Sequence, residues 1–241
     1  MVYGIRPVLE VLDGTPSQIE VLLFASRESP KLREIREKAR HCGVPVRFVS
    51  RDEIARLCGT PHHQDVLALL PPFPYASLEE ILACRPDLVA AADGVEDPRN
   101  LGALVRSLAA AGAGGLVLPK DRACGVTPAA EKTSAGAVSR IPVSRVTNLC
   151  RALRRLREAG YWIVGLDVSA ERSLYEVDLP SPLVLVVGGE TGIRPLVARH
   201  CDLLARIPLA CGVESLNLSV AAALAAFEFR RRQGLPARGE S

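Results

Sequence analysis

Between residues 86 and 241, short apolar runs alternate with longer helical segments, and this alternation limits the possible folds more than any other feature. The apolar runs cover residues 88–92, 115–118, 161–166 and 183–187. Such runs are typical of strands that are buried on both faces of a parallel sheet. Helices are expected at 98–111, 127–135 and 147–159, with an alanine-rich final helix at 216–232. The pattern predicts an α/β domain with helices on both faces of a mostly parallel sheet.

The first 70 residues predict a smaller α/β unit. Strand-like runs cover residues 19–24, 44–49 and 66–70, and helical segments cover 30–42 and 52–57. Pro71, Pro72 and Pro74 follow, and a proline-rich segment favours an extended linker. The expected organisation is therefore a domain at 1–70, a linker at 71–85 and a second domain at 86–241.

Composition excludes several classes of protein. No apolar run approaches the roughly 20 residues that a membrane-spanning helix needs. Glu10 and Asp13 interrupt the apolar N-terminus, which lacks the layout of a signal peptide, so we expect a cytoplasmic protein. The seven cysteines are odd in number and form no C-x-x-C pair. We interpret them as buried or half-buried thiols, with neither a disulfide nor a metal site.

The charge pattern leaves two interpretations open. The net charge is +3, and basic residues cluster at 31–47, 151–157 and 230–232. Each cluster could be a solvated helix face or part of a nucleic-acid-binding surface. Aromatic residues make up only 4% of the chain, which argues against a platform on which single-stranded bases stack.

Three polar segments follow apolar strands, where open α/β sheets bind ligands. In the first, Asp97 and Pro98 have the composition of a helix start. Gly102 and Arg106 lie one turn apart on that helix. Most neighbours of Arg106 on the helix are apolar, so its charge is expected to face a polar cleft that satisfies it.

The second and third segments are a glycine turn and a helix start. Gly188, Gly189 and Gly192 follow the run at 183–187, and glycines there would let a ligand approach the backbone closely. The turn matches neither a Walker loop nor the G-x-G-x-x-G fingerprint, which argues against a Rossmann-type dehydrogenase. In the third segment, Ser215 and Asn217 could cap the final helix.

Taken together, these segments resemble the SpoU (TrmH) group of the SPOUT RNA 2′-O-ribose methyltransferases. The matching motifs are N-x-G-x-x-x-R at 100–106, G-x-E at 188–190 and S-L-N-x-S at 215–219. The resemblance covers essentially the whole chain. Residues 3–12 and His63-Gln64 are similar to the small L30e-like RNA-binding domain that many members carry. Residues 117–122 and 142–148 resemble the branch that methylates a guanosine of 23S rRNA.

The resemblance implies a function and a set of site residues. It implies transfer of a methyl group from S-adenosylmethionine to a ribose 2′-hydroxyl of RNA, without a metal. It also implies a trefoil knot in the C-terminal domain and a homodimer formed through that domain. The residues that would contact the cofactor are Gly188, Ile207 and Leu216. The catalytic residues would be Arg106, Asn100, Glu190, Ser215 and Asn217.

Arg106 is the principal catalytic candidate. A guanidinium with a pKa above about 12 is a poor base at neutral pH. We therefore expect Arg106 to stabilise the developing alkoxide or to contact the adjacent phosphate, with the other four residues positioning it, the ribose and the loops.

Two alternatives stay open. The same chemistry could act on tRNA or on another rRNA site. The chain could also be an RNA-binding or ribosome-assembly protein without catalysis. The presence of Asn100, Arg106, Glu190 and Asn217 argues against the second alternative, because a protein that only binds RNA does not need all four.

Overall fold

A computed structural model describes residues 1–25, 29–189, 191–210 and 212–234. By its internal contacts the chain forms two compact units, Met1–Pro74 and Tyr75–Ser241. The described part of the chain contains no helix that is long and apolar enough to cross a membrane.

The first unit is a four-stranded sheet with helices on both faces. The sheet order is β1-β4-β2-β3, in which only β2 and β3 are parallel. Helices α1 and α2 pack on Leu22 and Phe24, and α3 packs through Ile54 on Leu23 and Leu67. The strands are β1 (Val2–Tyr3), β2 (Val21–Phe24), β3 (Val46–Phe48) and β4 (Val66–Leu69), and the helices are α1 (Ile5–Gly14), α2 (Pro30–His41) and α3 (Arg51–Cys58).

The second unit is a six-stranded sheet in which every described strand pair is parallel. Its order is β10-β8-β9-β5-β6-β7, which confirms the predicted mostly parallel sheet flanked by helices. The strands are β5 (Leu88–Asp93), β6 (Leu116–Pro119), β7 (Val143–Val146), β8 (Trp162–Leu166), β9 (Leu183–Gly188) and β10 (Leu203–Ala205). The helices are α4 (Leu78–Ala83), α5 (Pro98–Ala110), α6 (Pro128–Ser134), α7 (Leu149–Glu158), α8 (Pro195–Ala198) and α9 (Leu218–Gln233).

Helices cover both faces of this sheet. Helices α4, α7 and α8 pack on Val89, Ala91, Val184 and Val186, which alternate along β5 and β9. The residues between them point to the other face because side chains alternate along a strand. On that face α9 packs against β9 and α5, and α5 packs against α6. Strands β5 and β9 are neighbours although they are distant in sequence, and ligands of open α/β sheets bind where the strand order changes in this way.

The basic cluster at residues 230–232 is a structural element. Arg230 is buried, and its guanidinium donates to the carbonyl oxygens of Ala111 (2.5 Å) and Gly112 (2.7 Å) and pairs with Asp87. It thereby satisfies carbonyl groups at the C-terminal end of α5, where a cation is favoured. Arg231 and Arg232 both donate to the buried carboxylate of Glu228. These contacts stabilise the last turn of α9.

The ion pairs of Glu228 give an expected pH dependence. Hydrogen bonds from Arg231, with a further contribution from Arg232, lower the pKa of Glu228 to about 2. A carboxylate with a lowered pKa stabilises the fold above its unfolded pKa, and the contribution is lost as the pH falls through the folded value. Urea unfolding should show wild type more stable than Glu228→Gln at pH 7, with the difference shrinking between about pH 4.5 and pH 2. Glu158→Gln, at the exposed end of α7, is the control. A constant difference between wild type and Glu228→Gln from pH 7 to pH 2 would contradict this assignment.

The cysteines are more exposed than expected. Cys58, Cys124, Cys150 and Cys201 are half-buried, as predicted, whereas Cys42 and Cys84 are exposed because they follow the ends of α2 and α4. Cys211 lies outside the described residues. Among the described residues, no group of three or more His, Cys, Asp or Glu side chains could hold a metal ion.

Candidate active site

A cleft of about 910 Å³ opens at the carboxyl ends of β5, β8 and β9. Its walls are the loops that follow these three strands, together with the segment that leads from β10 into α9 and the first turns of α5 and α9. The lining residues include Gly94–Asp97, Leu166–Val168, Gly188, Gly189, Ile193, Ile207, Leu209 and Glu214–Leu218. A ligand in this cleft would contact mainly loops that the sheet holds in place.

Six of the eight predicted site residues line this cleft. They are the three predicted cofactor contacts, Gly188, Ile207 and Leu216, and three of the predicted catalytic residues, Asn100, Ser215 and Asn217. Glu190 lies outside the described residues. Arg106 is not among the residues that line the cleft.

Asn217 joins the first motif to the third. Its side-chain oxygen accepts hydrogen bonds from the backbone N–H (2.9 Å) and the hydroxyl (2.7 Å) of Ser219, so Asn217 is the N-cap of α9. Its side-chain nitrogen donates to Oδ1 of Asn100 at 2.9 Å, across 117 positions of sequence. The expectation of a cap near Ser215 and Asn217 is thus met by Asn217. The same amide fixes the start of α9 against the first turns of α5.

Asp93 holds the loop that follows β9 in place, a role that was not predicted from the sequence. The Asp93 side chain is only 1% exposed, at the end of β5. Its carboxylate accepts from the Arg194 guanidinium (2.6 and 2.8 Å) and from the Arg194 backbone N–H (2.9 Å). The hydrogen bond to Asp93 raises the pKa of Arg194. A carboxylate that closes a buried strand requires a partner, and this was the available signal.

The glycines of two motifs are required by the protein's own packing. A Cβ on Gly188 would lie 2.1 Å from the Gly192 carbonyl carbon, and one on Gly189 would lie 2.1 Å from the Gly94 carbonyl oxygen. Likewise, a Cβ on Gly102 would lie 2.5 Å from the Ala130 carbonyl oxygen, where α5 packs on α6. The interpretation that the glycine turn makes room for a ligand is therefore incomplete, because the loops themselves already fill that space.

Arg106 occupies a different position from the one expected. Its side chain is exposed on α5 and contacts no described residue through a hydrogen bond or ion pair. Asn100, which lines the cleft, lies six residues earlier, and at 3.6 residues per turn the two side chains leave the helix about 120° apart. The guanidinium therefore does not face the cleft of its own chain, and it is open to a ligand that extends beyond the cleft.

The groups of the cleft suit a nucleoside-like ligand with a charged amino-acid tail. Ile193, Ile207, Leu209 and Leu216 provide apolar side chains. The backbone N–H and C=O groups of Ile207, Leu209 and Leu216 form no hydrogen bond with described residues, so they can serve a ligand. The carboxylates of Glu96, Asp97, Asp167 and Glu214 also line the cleft and would favour a cationic group. The residues present therefore fit S-adenosylmethionine, which carries an adenine, a sulfonium and an ammonium group.

Comparison with known families agrees with this arrangement. Residues 87–227 match the model of the SpoU rRNA Methylase family, and residues 1–76 match the model "RNA 2′-O ribose methyltransferase substrate binding". The first match covers more than half of the chain. The chain belongs to the SpoU rRNA methylase family.

Its relatives include enzymes named for one reaction. The chain is 43% identical over 240 residues to the 23S rRNA (guanosine-2′-O-)-methyltransferase RlmB of Xanthomonas axonopodis, with 96% of each chain covered. It is 40% identical over 243 residues to the protein of the same name from Coxiella burnetii, with 98% of this chain and 97% of the relative covered.

Solved structures of similar proteins contain the expected cofactor. The SpoU methyltransferase AviRb of Streptomyces viridochromogenes, in complex with AdoMet, aligns over 96% of this chain and 89% of its own, with a TM-score of 0.62 and 26% identity. The AdoMet-bound rRNA methyltransferase of Sinorhizobium meliloti aligns over 96% of this chain and 86% of its own, with a TM-score of 0.63 and 28% identity.

Proposed function

We propose that this protein transfers a methyl group from S-adenosylmethionine to the ribose 2′-hydroxyl of a guanosine in 23S rRNA. The observation that carries the proposal is the cleft at the carboxyl ends of β5, β8 and β9. There the glycine turn and the segment before α9 come together with the bonded pair Asn100 and Asn217. Membership of the SpoU family and the names of the full-length relatives support this choice of reaction and substrate.

The chain's own residues would bind and orient the reactants. When bound, S-adenosylmethionine supplies a methyl group already activated on a sulfonium. Gly188 and the backbone groups of Ile207, Leu209 and Leu216, which bond to no described residue, would hold the cofactor. Holding reactants in line can contribute on the order of 7–11 kcal/mol to catalysis. As the resemblance implies, we also propose that the C-terminal domain contains a trefoil knot.

The catalytic residues would act on the RNA. Arg106 carries a guanidinium that no described residue engages, so it can contact the developing 2′-alkoxide or the neighbouring phosphate. Asn100 and Asn217 would fix the two helix starts that border the ribose, and Ser215 would position the loop before α9. Glu190 would have a positioning role in the turn after β9. No step requires a metal.

The two parts of the chain would divide the work. We propose that residues 1–70 select the RNA, that residues 71–85 connect the two parts, with α4 packed on the second unit, and that residues 86–241 perform the chemistry. The match of residues 1–76 to a substrate-binding model supports this division. Helix α2 also exposes Lys31, Arg33 and Arg40, although Lys38 is paired with Asp13.

We also propose that the protein acts in the cytoplasm, where ribosomal RNA would be available to it.

The protein is also proposed to form a homodimer through its C-terminal unit. Val220, Leu224 and Phe227 are exposed on α9 and recur at the spacing of one helix face. An exposed apolar stripe of this kind favours a protein partner, and the resemblance implies a second copy of the chain.

Leu224→Arg should convert the dimer to monomer in sedimentation equilibrium, because a buried, unpaired charge would oppose association. Leu57→Arg is the matched control, since Leu57 is 40% exposed and Leu224 is 39% exposed. A wild-type protein that sediments as a monomer at micromolar concentration would refute the dimer. Equal effects of the two substitutions would exclude α9 as its interface.

Titration calorimetry and a methyl-transfer assay test the proposed function together. The purified protein should bind S-adenosylmethionine without added metal. It should transfer labelled methyl groups to unmodified 23S rRNA and not to unmodified tRNA. A folded protein that binds neither the cofactor nor its demethylated product would contradict the enzyme assignment, and transfer to tRNA alone would contradict the substrate.

A further inference from the structure

We propose that the loop at residues 120–126, here called the rim loop, is a fixed phosphate-binding platform beside the cleft. In this proposal Lys120 and Arg122 contact RNA phosphates next to the reacting ribose, and Arg145 is the positioning residue that holds the loop. The inference rests on the proposed function, because it names where the same substrate is bound.

Arg145 ties the rim loop to the edge strand β7. Its Nη2 donates to the carbonyl oxygens of Lys120 (2.8 Å) and Ala123 (3.3 Å). The guanidinium also lies over the ring of Tyr75, 5.6 Å from the ring centre. Its Nε is buried and bonds to no described residue. The two hydrogen bonds to loop carbonyls and the contact with the Tyr75 ring come from one side chain, and together they fix the loop's conformation.

Tyr75 fixes the other end of the rim loop. Its hydroxyl oxygen accepts a hydrogen bond from the Val126 N–H at 2.8 Å. The packing is close, since a Cβ on Gly125 would lie 3.0 Å from the same oxygen and 3.4 Å from Nη1 of Arg145. The loop is thus held at its start, middle and end by side chains from outside it.

The rim loop adjoins the cleft. The N–H of Cys124 donates to the carbonyl oxygen of Val95 at 2.7 Å, and Val95 lines the cleft. Burial, with a smaller contribution from the nearby charge of Asp97, another lining residue, raises the pKa of the Cys124 thiol to about 11. The loop is therefore a direct continuation of the cleft wall that follows β5.

The rim loop exposes two cationic side chains that take no part in holding the fold together, as far as the described residues go. Lys120 and Arg122 are exposed, and neither side chain forms a hydrogen bond or ion pair with a described residue. Arg122 adopts a left-handed backbone conformation (φ 58°), which is unfavourable for a residue other than glycine. Cations on a pre-formed loop bind phosphate with little ordering cost. Because Glu96 and Asp121 are also exposed here, a polyanion would bind only where its phosphates meet the two cations.

The test compares two double variants of the full chain that remove the same charge. Lys120→Ala/Arg122→Ala should raise the KM for 23S rRNA by about 10-fold to 100-fold. The kcat at saturating RNA and the calorimetric Kd for S-adenosylmethionine should stay within about twofold of wild type. The slope of log Kd for RNA against log salt should fall by about 1 for each removed cation. The control is Arg154→Ala/Arg155→Ala, which removes two exposed arginines of α7.

Equal effects of the two double variants would overturn the proposal, because they would indicate non-specific attraction. So would an unchanged KM in the rim-loop variant. Wild-type protein that transfers no methyl group to 23S rRNA would instead refute the proposed function, which separates the two failures.

The positioning role of Arg145 has its own test. If Arg145 acts by placing the loop, Arg145→Met should raise the KM for RNA. Adding Lys120→Ala/Arg122→Ala to Arg145→Met should then raise this KM by a much smaller factor than the same double change does in wild type. Fully additive effects would contradict the positioning role. If Arg145→Met fails to fold, the rim-loop double variant and its control still decide whether the loop binds RNA.

Discussion

Arg106→Ala is expected to slow single-turnover methylation by about 10²–10³-fold at saturating RNA and cofactor, the loss seen when one donor to a developing oxyanion is removed. The charge on the 2′-oxygen develops only in the transition state, so the Kd for S-adenosylmethionine should not change. Arg106 is exposed and lies outside the cleft lining, so its removal should not disturb the cofactor site.

The nature of the lost interaction can be tested by a conservative change. Arg106→Lys should restore only part of the rate, because a point charge does not reproduce the planar fork of the guanidinium. Arg154→Ala, which removes an exposed arginine of α7 that likewise bonds to no described residue, should keep the wild-type rate. A wild-type single-turnover rate for Arg106→Ala would remove Arg106 from the mechanism.

Arg194→Ala is expected to lower the free energy of unfolding by about 3 kcal/mol, because it leaves the carboxylate of Asp93 buried without its cation. It should also weaken cofactor binding, since Thr191–Arg194 would lose the side-chain contact that holds this segment against the end of β5. Urea unfolding and titration calorimetry measure the two effects.

An exposed arginine in the same unit provides the control. Arg231→Ala removes a side chain that is 69% exposed and leaves Arg232 paired with Glu228, so we expect a change below about 1 kcal/mol. In a double-mutant cycle, Asp93→Asn and Arg194→Gln should be strongly non-additive. Additive effects, or a stability loss no larger than that of Arg231→Ala, would contradict the bracing role.

The central strands could be predicted from sequence because burial on both faces makes them continuous apolar runs. Strands β5 and β9 start at the predicted residues and end one residue beyond the predicted ends. Strands β7 and β10 were missed, since they are the short edges of the sheet and β7 contains Ser144 and Arg145. Helix α1 was also missed, although Val8, Val11 and Leu12 recur at helical spacing and pack in the core of the first unit.

The residues that form the site could be predicted, but the hydrogen bonds between them could not. The resemblance supplied Asn100, Asn217 and the glycine turn. The bonds from Asn217 to Asn100 and from Arg194 to Asp93 span 117 and 101 positions, so no local pattern indicates them. The direction of Arg106 was wrong for a related reason. Apolar neighbours indicate that a helix is partly buried, but they do not fix the direction in which a charged side chain such as that of Arg106 leaves the helix.

Nucleoside mass spectrometry of unmodified 23S rRNA, incubated with the purified protein and S-adenosylmethionine, tests the central claim most directly. Digestion should release 2′-O-methylguanosine, and mapping should place it at one guanosine. Methylation on a base, methylation of a ribose other than that of guanosine, or an rRNA of unchanged mass would contradict the proposed function.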